Sequence, residues 1–122
     1  MLSFDDAELA LDKIADQIPP IILNDLNGGI ILSPHVKLHP KNKHGDLYIM
    51  GEYYYDPRGM GRYVVIYFGS LIQAHGSLPN DMLIAHLGRT LRHELTHHLE
   101  SLAGDRTLEK QDEIDIAQYL NR

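Results

Sequence analysis

Thr90-Leu91-Arg92-His93-Glu94-Leu95-Thr96-His97-His98 is the stretch whose reading decides the fold. Around it, Met82, Ile84, Ala85, Leu87, Leu91, Leu95, Leu99 and Leu102 recur mostly at three- and four-residue steps, the period of a helix with one apolar face. Ser77 or Asn80 can cap its start, Pro79 is tolerated in its first turn, and Gly104 suits a left-handed C-terminal cap. The pattern predicts one long helix with the pentad His93-Glu94-Leu95-Thr96-His97 in its middle.

Residues four apart on a helix are neighbours, with Cβ atoms about 5–6 Å apart. His93 and His97 can therefore converge on one ion, at about 2.0–2.1 Å each for zinc. Glu94 is turned about 100° from His93, so it flanks such an ion rather than binding it. From there it can act as general base toward a metal-activated water and return the proton to a leaving amine. This is the hydrolytic logic of H-E-x-x-H. The chain has no cysteine, so a metal must be held by His, Asp or Glu, and zinc suits that donor set.

A catalytic zinc site takes three protein ligands and leaves a fourth position open. Downstream, Thr107 to Leu120 reads as a last helix, with Leu108, Ile114, Ala117 and Leu120 on its apolar side. It brings Asp105, Glu109, Asp112 and Glu113 forward as candidates for the third ligand. Glu100 is near the histidine face but too low on the same helix. His98 points elsewhere and reads as a packed histidine bonded to a neighbour. His86 lies two turns before His93, too far to ligate. His35, His39 and His44 share one loop and read as exposed.

Upstream, Ser3 and Asp6 signal a helix start, and Phe4, Ala7, Leu11, Ile14 and Ile18 form its apolar stripe. Pro19-Pro20 ends it. Ile21 to Leu26 reads as a short helix and Ile30-Ile31-Leu32 as a buried strand. Ser33 to Asp46 reads as a loop. Leu47 to Tyr55 and Arg62 to Phe68 read as strands of a hairpin joined through Asp56-Pro57-Arg58-Gly59-Met60-Gly61. Tyr53, Tyr54, Tyr55, Tyr63 and Tyr67 read as sheet packing, and Gly69 to Gly76 as about one helical turn.

With 122 residues, 43% of them hydrophobic and 23% charged, residues 1–122 make one domain able to bury a core without staples. A net charge of −6 and scattered basic residues argue against nucleic acid and against an anionic membrane surface. No apolar run reaches the roughly 20 residues of a membrane span. The acidic start lacks the basic and apolar regions of an export signal, so the expectation is cytoplasmic. No motif specifies an oligomeric state.

The chain resembles the small bacterial zincin-like metallopeptidases. The resemblance runs from Ser3-Phe4-Asp5-Asp6 through Pro19-Pro20, continues over Arg62-Tyr63-Val64-Val65-Ile66-Tyr67, and is sharpest at Thr90 to His98, with its doubled histidine after H-E-x-x. Many members follow that pair with an aromatic residue, Gly and an acidic cluster. This chain has Leu99 and Glu100 there, and a longer stretch before Gln111-Asp112-Glu113-Ile114. The resemblance implies an α+β, zincin-like minimal metalloprotease fold: a small mixed sheet packed on the H-E-x-x-H helix, with N- and C-terminal helices. It implies a zinc peptidase acting on a peptide or protein substrate. His93, His97 and Asp112 would hold Zn2+, and Glu94 would be the base. In such folds substrate adds in extended form to an edge strand, here 47–55 or 62–68. The alternative is a catalytically silent metal-binding or regulatory module of the same fold. A metal-dependent ribonuclease fits less well, because of the glutamate in the pentad and the net charge.

Overall fold

The computed structural model describes residues 1–105 and 119–120. It is a small mixed α+β fold in chain order α1 (Phe4–Asp16), a short 3-10 turn (Pro20–Leu23), β1 (Gly29–Ser33), β2 (Gly51–Asp56), β3 (Gly61–Tyr67), α2 (Phe68–His75) and α3 (Asn80–Asp105). The Ser3 side chain accepts the Asp6 N–H at 3.0 Å and caps α1. Asp5 and Asp6 in its first turn favour the positive end of the helix dipole. Ala7 and Leu11 bury its apolar face, and Ile18, just past its end, is buried as well.

The sheet has the order β1-β3-β2. β3 pairs parallel with β1, Ile30 opposite Val64, and antiparallel with β2, Tyr53 opposite Val64. The hairpin reverses through Gly61, whose φ of 74° suits a residue without a side chain. β3 is the central strand, and Val64 and Ile66 turn into the core. Below them runs the leucine row of α3: Leu83, Leu87, Leu91 and Leu95, each at most 1% exposed. Fully burying one such side chain contributes roughly 1.5–3 kcal/mol. Isolated helices are marginal in water, so this row, rather than propensity, fixes α3 against the sheet and α1.

Several sequence expectations change here. The buried row of α3 takes Leu83 and leaves Met82 48% exposed, because the two are about 100° apart on the helix. Gly104 lies inside α3, which runs on to Asp105, and is not a left-handed cap. The strand expected over 47–55 begins only at Gly51. Ahead of it, the Ile49 N–H bonds the Lys37 carbonyl and the His39 N–H bonds the Leu47 carbonyl, so residues 37–39 are folded back against 47–49. The stretch 69–76, expected as about one helical turn, falls largely within the eight-residue helix α2, Phe68–His75. Of the expected last helix, only Tyr119 and Leu120 lie within the described residues. They are helical, with Leu120 in the core and the Tyr119 hydroxyl donating to the Gln17 carbonyl at 3.2 Å. Among the described residues no helix is long and apolar enough to cross a membrane.

Candidate metal centre

The middle of α3 passes beneath the start of β2. The approach is close because residue 51 is glycine: a Cβ there would stand 2.7 Å from Thr90 Cγ2 and 3.3 Å from Glu94 Cγ. The cleft between the two elements, about 420 Å³, is lined by Gly51, Glu52, Tyr53, His93, Glu94 and His97. Both histidines are exposed and Glu94 is 6% exposed, as its place between the histidine face and the leucine row requires.

The imidazoles meet edge to face, with their Nε2 atoms 3.3 Å apart. Two nitrogens bound to one tetrahedral ion at about 2.0–2.1 Å each would stand about 3.3 Å apart. The pair is thus already spaced for a shared ion. Ligand atoms of His93, Glu94 and His97 all lie within 4.8 Å of one another, so the group can hold a metal ion. The Glu100 carboxylate stands 3.5 Å from His97 Nδ1. That is the far side of the ring from Nε2, where a carboxylate orients an imidazole rather than competing for the ion. Burial pushes the Glu94 carboxyl above its ordinary value, His93 and His97 pull it partly back, and Glu52 adds to the rise.

His98 does not join the pair. It is fully buried, its Nε2 donates to the Asn24 carbonyl at 2.7 Å, and its Nδ1 meets the Tyr53 hydroxyl at 2.8 Å. Asp112, expected as third ligand, lies outside the described residues, as do Glu109 and Glu113; Asp105 ends α3. His35, His39 and His44 stay exposed or half-exposed in their loop.

Sequence reasoning missed two features beside the pair. On β2, Glu52 accepts from the Tyr54 hydroxyl at 2.7 Å and the Tyr67 hydroxyl at 2.9 Å, and it pairs with Lys37. Burial pushes Glu52 up, but the hydrogen bonds from Lys37, Tyr54 and Tyr67 together hold it below its ordinary value. The Lys37 ammonium is raised by its bonds to Glu52 and Tyr54. A glutamate and a tyrosine two apart on one strand share a face, and that was the available signal. The second feature is the row Arg89, His86 and Thr90, which lines a further stretch of the cleft with Ile49 and Met50. The helical spacing of Arg89 and His93, four residues apart, was its signal.

Fold and site together define a small α+β domain whose central helix carries a His-Glu-His group able to hold a metal. No protein-family model matches the chain, and no curated protein matches it. A solved structure of a conserved hypothetical protein from Thermus thermophilus is similar, with a TM-score of 0.72 and 26% identity. The match covers 85% of this chain and 100% of that one, so the two share an architecture over nearly the whole domain.

Proposed function

We propose that this protein is a zinc-dependent peptidase of the zincin type, acting on a peptide or protein substrate. His93 and His97 would hold the metal, with Asp112 as third ligand, and Glu94 would be the general base. The observation that carries this reading is the 3.3 Å separation of the two imidazole Nε2 atoms, with the Glu94 carboxylate buried beside them at the mouth of a cleft. When bound, zinc polarises a carbonyl and makes water a nucleophile near neutral pH. Glu94 would hold a proton on a carboxylate oxygen there and could pass it to the leaving amine nitrogen. β2 supplies the other wall. It ends the sheet, so from Gly51 onward its outer edge has no partner strand among the described residues. An extended substrate pairing with that edge lays its backbone across the histidine pair. The substrate strand is then β2 and not the central β3, both of whose edges are taken.

The test is metal analysis with paired variants. The purified protein should carry about one zinc per chain, His93→Ala should abolish it, and Glu94→Gln should keep it while hydrolysis of a peptide mixture stops. Zinc retained with no hydrolysis by the unaltered protein would point instead to a silent metal-binding module. A protein that takes up no zinc would end the proposal.

A further inference from the structure

The cleft continues past the histidine pair toward the N-terminal half of α3. The first stretch, around Glu52 and Tyr53, shares Gly51, His93 and Glu94 with a second stretch of about 470 Å³ lined by Ile49, Met50, His86, Arg89 and Thr90. The result is one groove with the candidate metal centre at its middle. At 100° per residue, Arg89, His93, His86 and His97 fall within an arc of about 80° on α3, so all four present to the same groove.

The two ends of this groove differ in charge. At one end the Glu52 carboxylate is already matched by Lys37, Tyr54 and Tyr67. At the other, Arg89 is exposed, and its Nη2 donates to His86 Nδ1 at 3.0 Å. An imidazole nitrogen that accepts is uncharged there. The ring of His86 also stacks on His75, with centroids 4.3 Å apart and planes 14° from parallel. Among the described residues no carboxylate pairs with Arg89. His86 thus takes one of its donors and holds the guanidinium over the groove, leaving the rest of the planar fork, with its charge uncompensated. A guanidinium so presented recognises a carboxylate by paired hydrogen bonds.

We propose that Arg89 is the specificity-determining residue of this groove and selects peptides that place a carboxylate on the Met50 side of the histidine pair. This rests on the peptidase reading for the nature of the ligand, but not for the presence of the groove. The carboxylate comes either from an Asp or Glu side chain or from a peptide C-terminus. The chain's net charge of −6 would by itself repel acidic peptides, so a preference for them requires a local cation.

The test uses zinc-loaded protein carrying Glu94→Gln, so that binding is read without turnover. Fluorescence anisotropy follows dye-labelled eight-residue peptides in which one Glu is walked through a neutral sequence, each against its Gln counterpart, with free and amidated C-termini. The expected result is tighter binding of one acidic form by about tenfold, the scale of a charge-assisted hydrogen bond, shrinking as salt is raised. Adding Arg89→Gln should remove the preference, and Arg89→Glu should turn it toward Lys-containing peptides. Preference that follows the walked Glu assigns a side-chain subsite; preference that follows the free terminus assigns a carboxypeptidase-like one. Equal binding of acidic and neutral peptides, or an acidic preference that survives Arg89→Gln, overturns the proposal. If acidic peptides bind through Arg89 but the unaltered protein cleaves none, the hydrolytic reading fails and the subsite stands. If peptides are cleaved without acidic preference, the reverse holds. Absence of any peptide binding overturns both.

Discussion

His97 and His98 are neighbours in the chain with opposite fates. About 100° of helix rotation separates them, enough to carry one imidazole to the cleft and the other into the core. His98 is 0% exposed and bonded at both ring nitrogens. Since a carbonyl can only accept, Nε2 carries a proton and donates it to the Asn24 carbonyl, while Nδ1 shares a hydrogen bond with the Tyr53 hydroxyl. The ring therefore ties β2, by Tyr53, and the turn at Asn24 to α3. Tyr53→Phe removes one bond and should cost about 1–2 kcal/mol in urea denaturation; His98→Ala also opens a cavity and strands the Asn24 carbonyl, and should cost about 3–5 kcal/mol. Zinc stoichiometry should be unchanged in Tyr53→Phe. Loss of metal in that variant would mean that the Tyr53–His98 link also positions the ligands. The sequence showed that His98 faces away from the pair, because helical rotation is local geometry. It held no sign of Tyr53 or Asn24 as partners, which lie 45 and 74 residues away.

The contact between β2 and α3 depends on residue 51 having no side chain. A Cβ at Gly51 would lie 2.7 Å from Thr90 Cγ2 and 3.1 Å from the Val65 carbonyl oxygen. Gly51→Ala should cost about 1–3 kcal/mol, the usual range for overpacking. Thr90→Ala should recover part of that loss in the double variant, measured as a non-additive cycle; additivity would show that the strain lies against the Val65 carbonyl or the Glu94 side chain instead. The Lys37–Glu52 pair, with Tyr54 and Tyr67, secures the same strand. Glu52 is held below its ordinary value of 4.5, so its contribution is present above that pH and is lost as pH falls through the lowered folded value. Lys37 is held above its ordinary 10.5, so its contribution is present below that pH and is lost as alkali passes the raised one. Glu52→Gln should therefore destabilise by a constant amount between about pH 6 and 9, and the gap should narrow below about 4.5. A gap that stays constant down to about pH 3 would remove Glu52 from the account. α1 and α3 were legible because each has a clean apolar period, and β1 and β3 because each is a short run of β-branched and apolar residues, although β1, expected as buried, is only half-buried. The segment 47–50 was not, because its partner, 37–39, sits in a loop with no periodicity of its own.

Across the molecule, the histidine pair was legible because both residues stand on one helix, where spacing alone sets geometry. The groove was not, since β2 and the two neighbours of the pair, Arg89 and His86, come together only once the sheet lies across α3. The same fact separates folding from metal binding. His93 and His97 are four residues apart within α3, and the helix is anchored by its leucine row, not by the pair. Chelation should therefore leave the far-UV circular dichroism nearly unchanged while lowering Tm. A ligand that binds only the folded state adds about 2.7 kcal/mol when present at about 100 times its Kd, which for a domain this size raises Tm by about 10 °C. Titration of the chelated protein with zinc should give that rise in the unaltered chain and in Glu94→Gln, and none in His93→Ala. If chelation instead collapses the helical signal, the metal is holding the fold together, and a structural site rather than a catalytic one is the correct description of the pair.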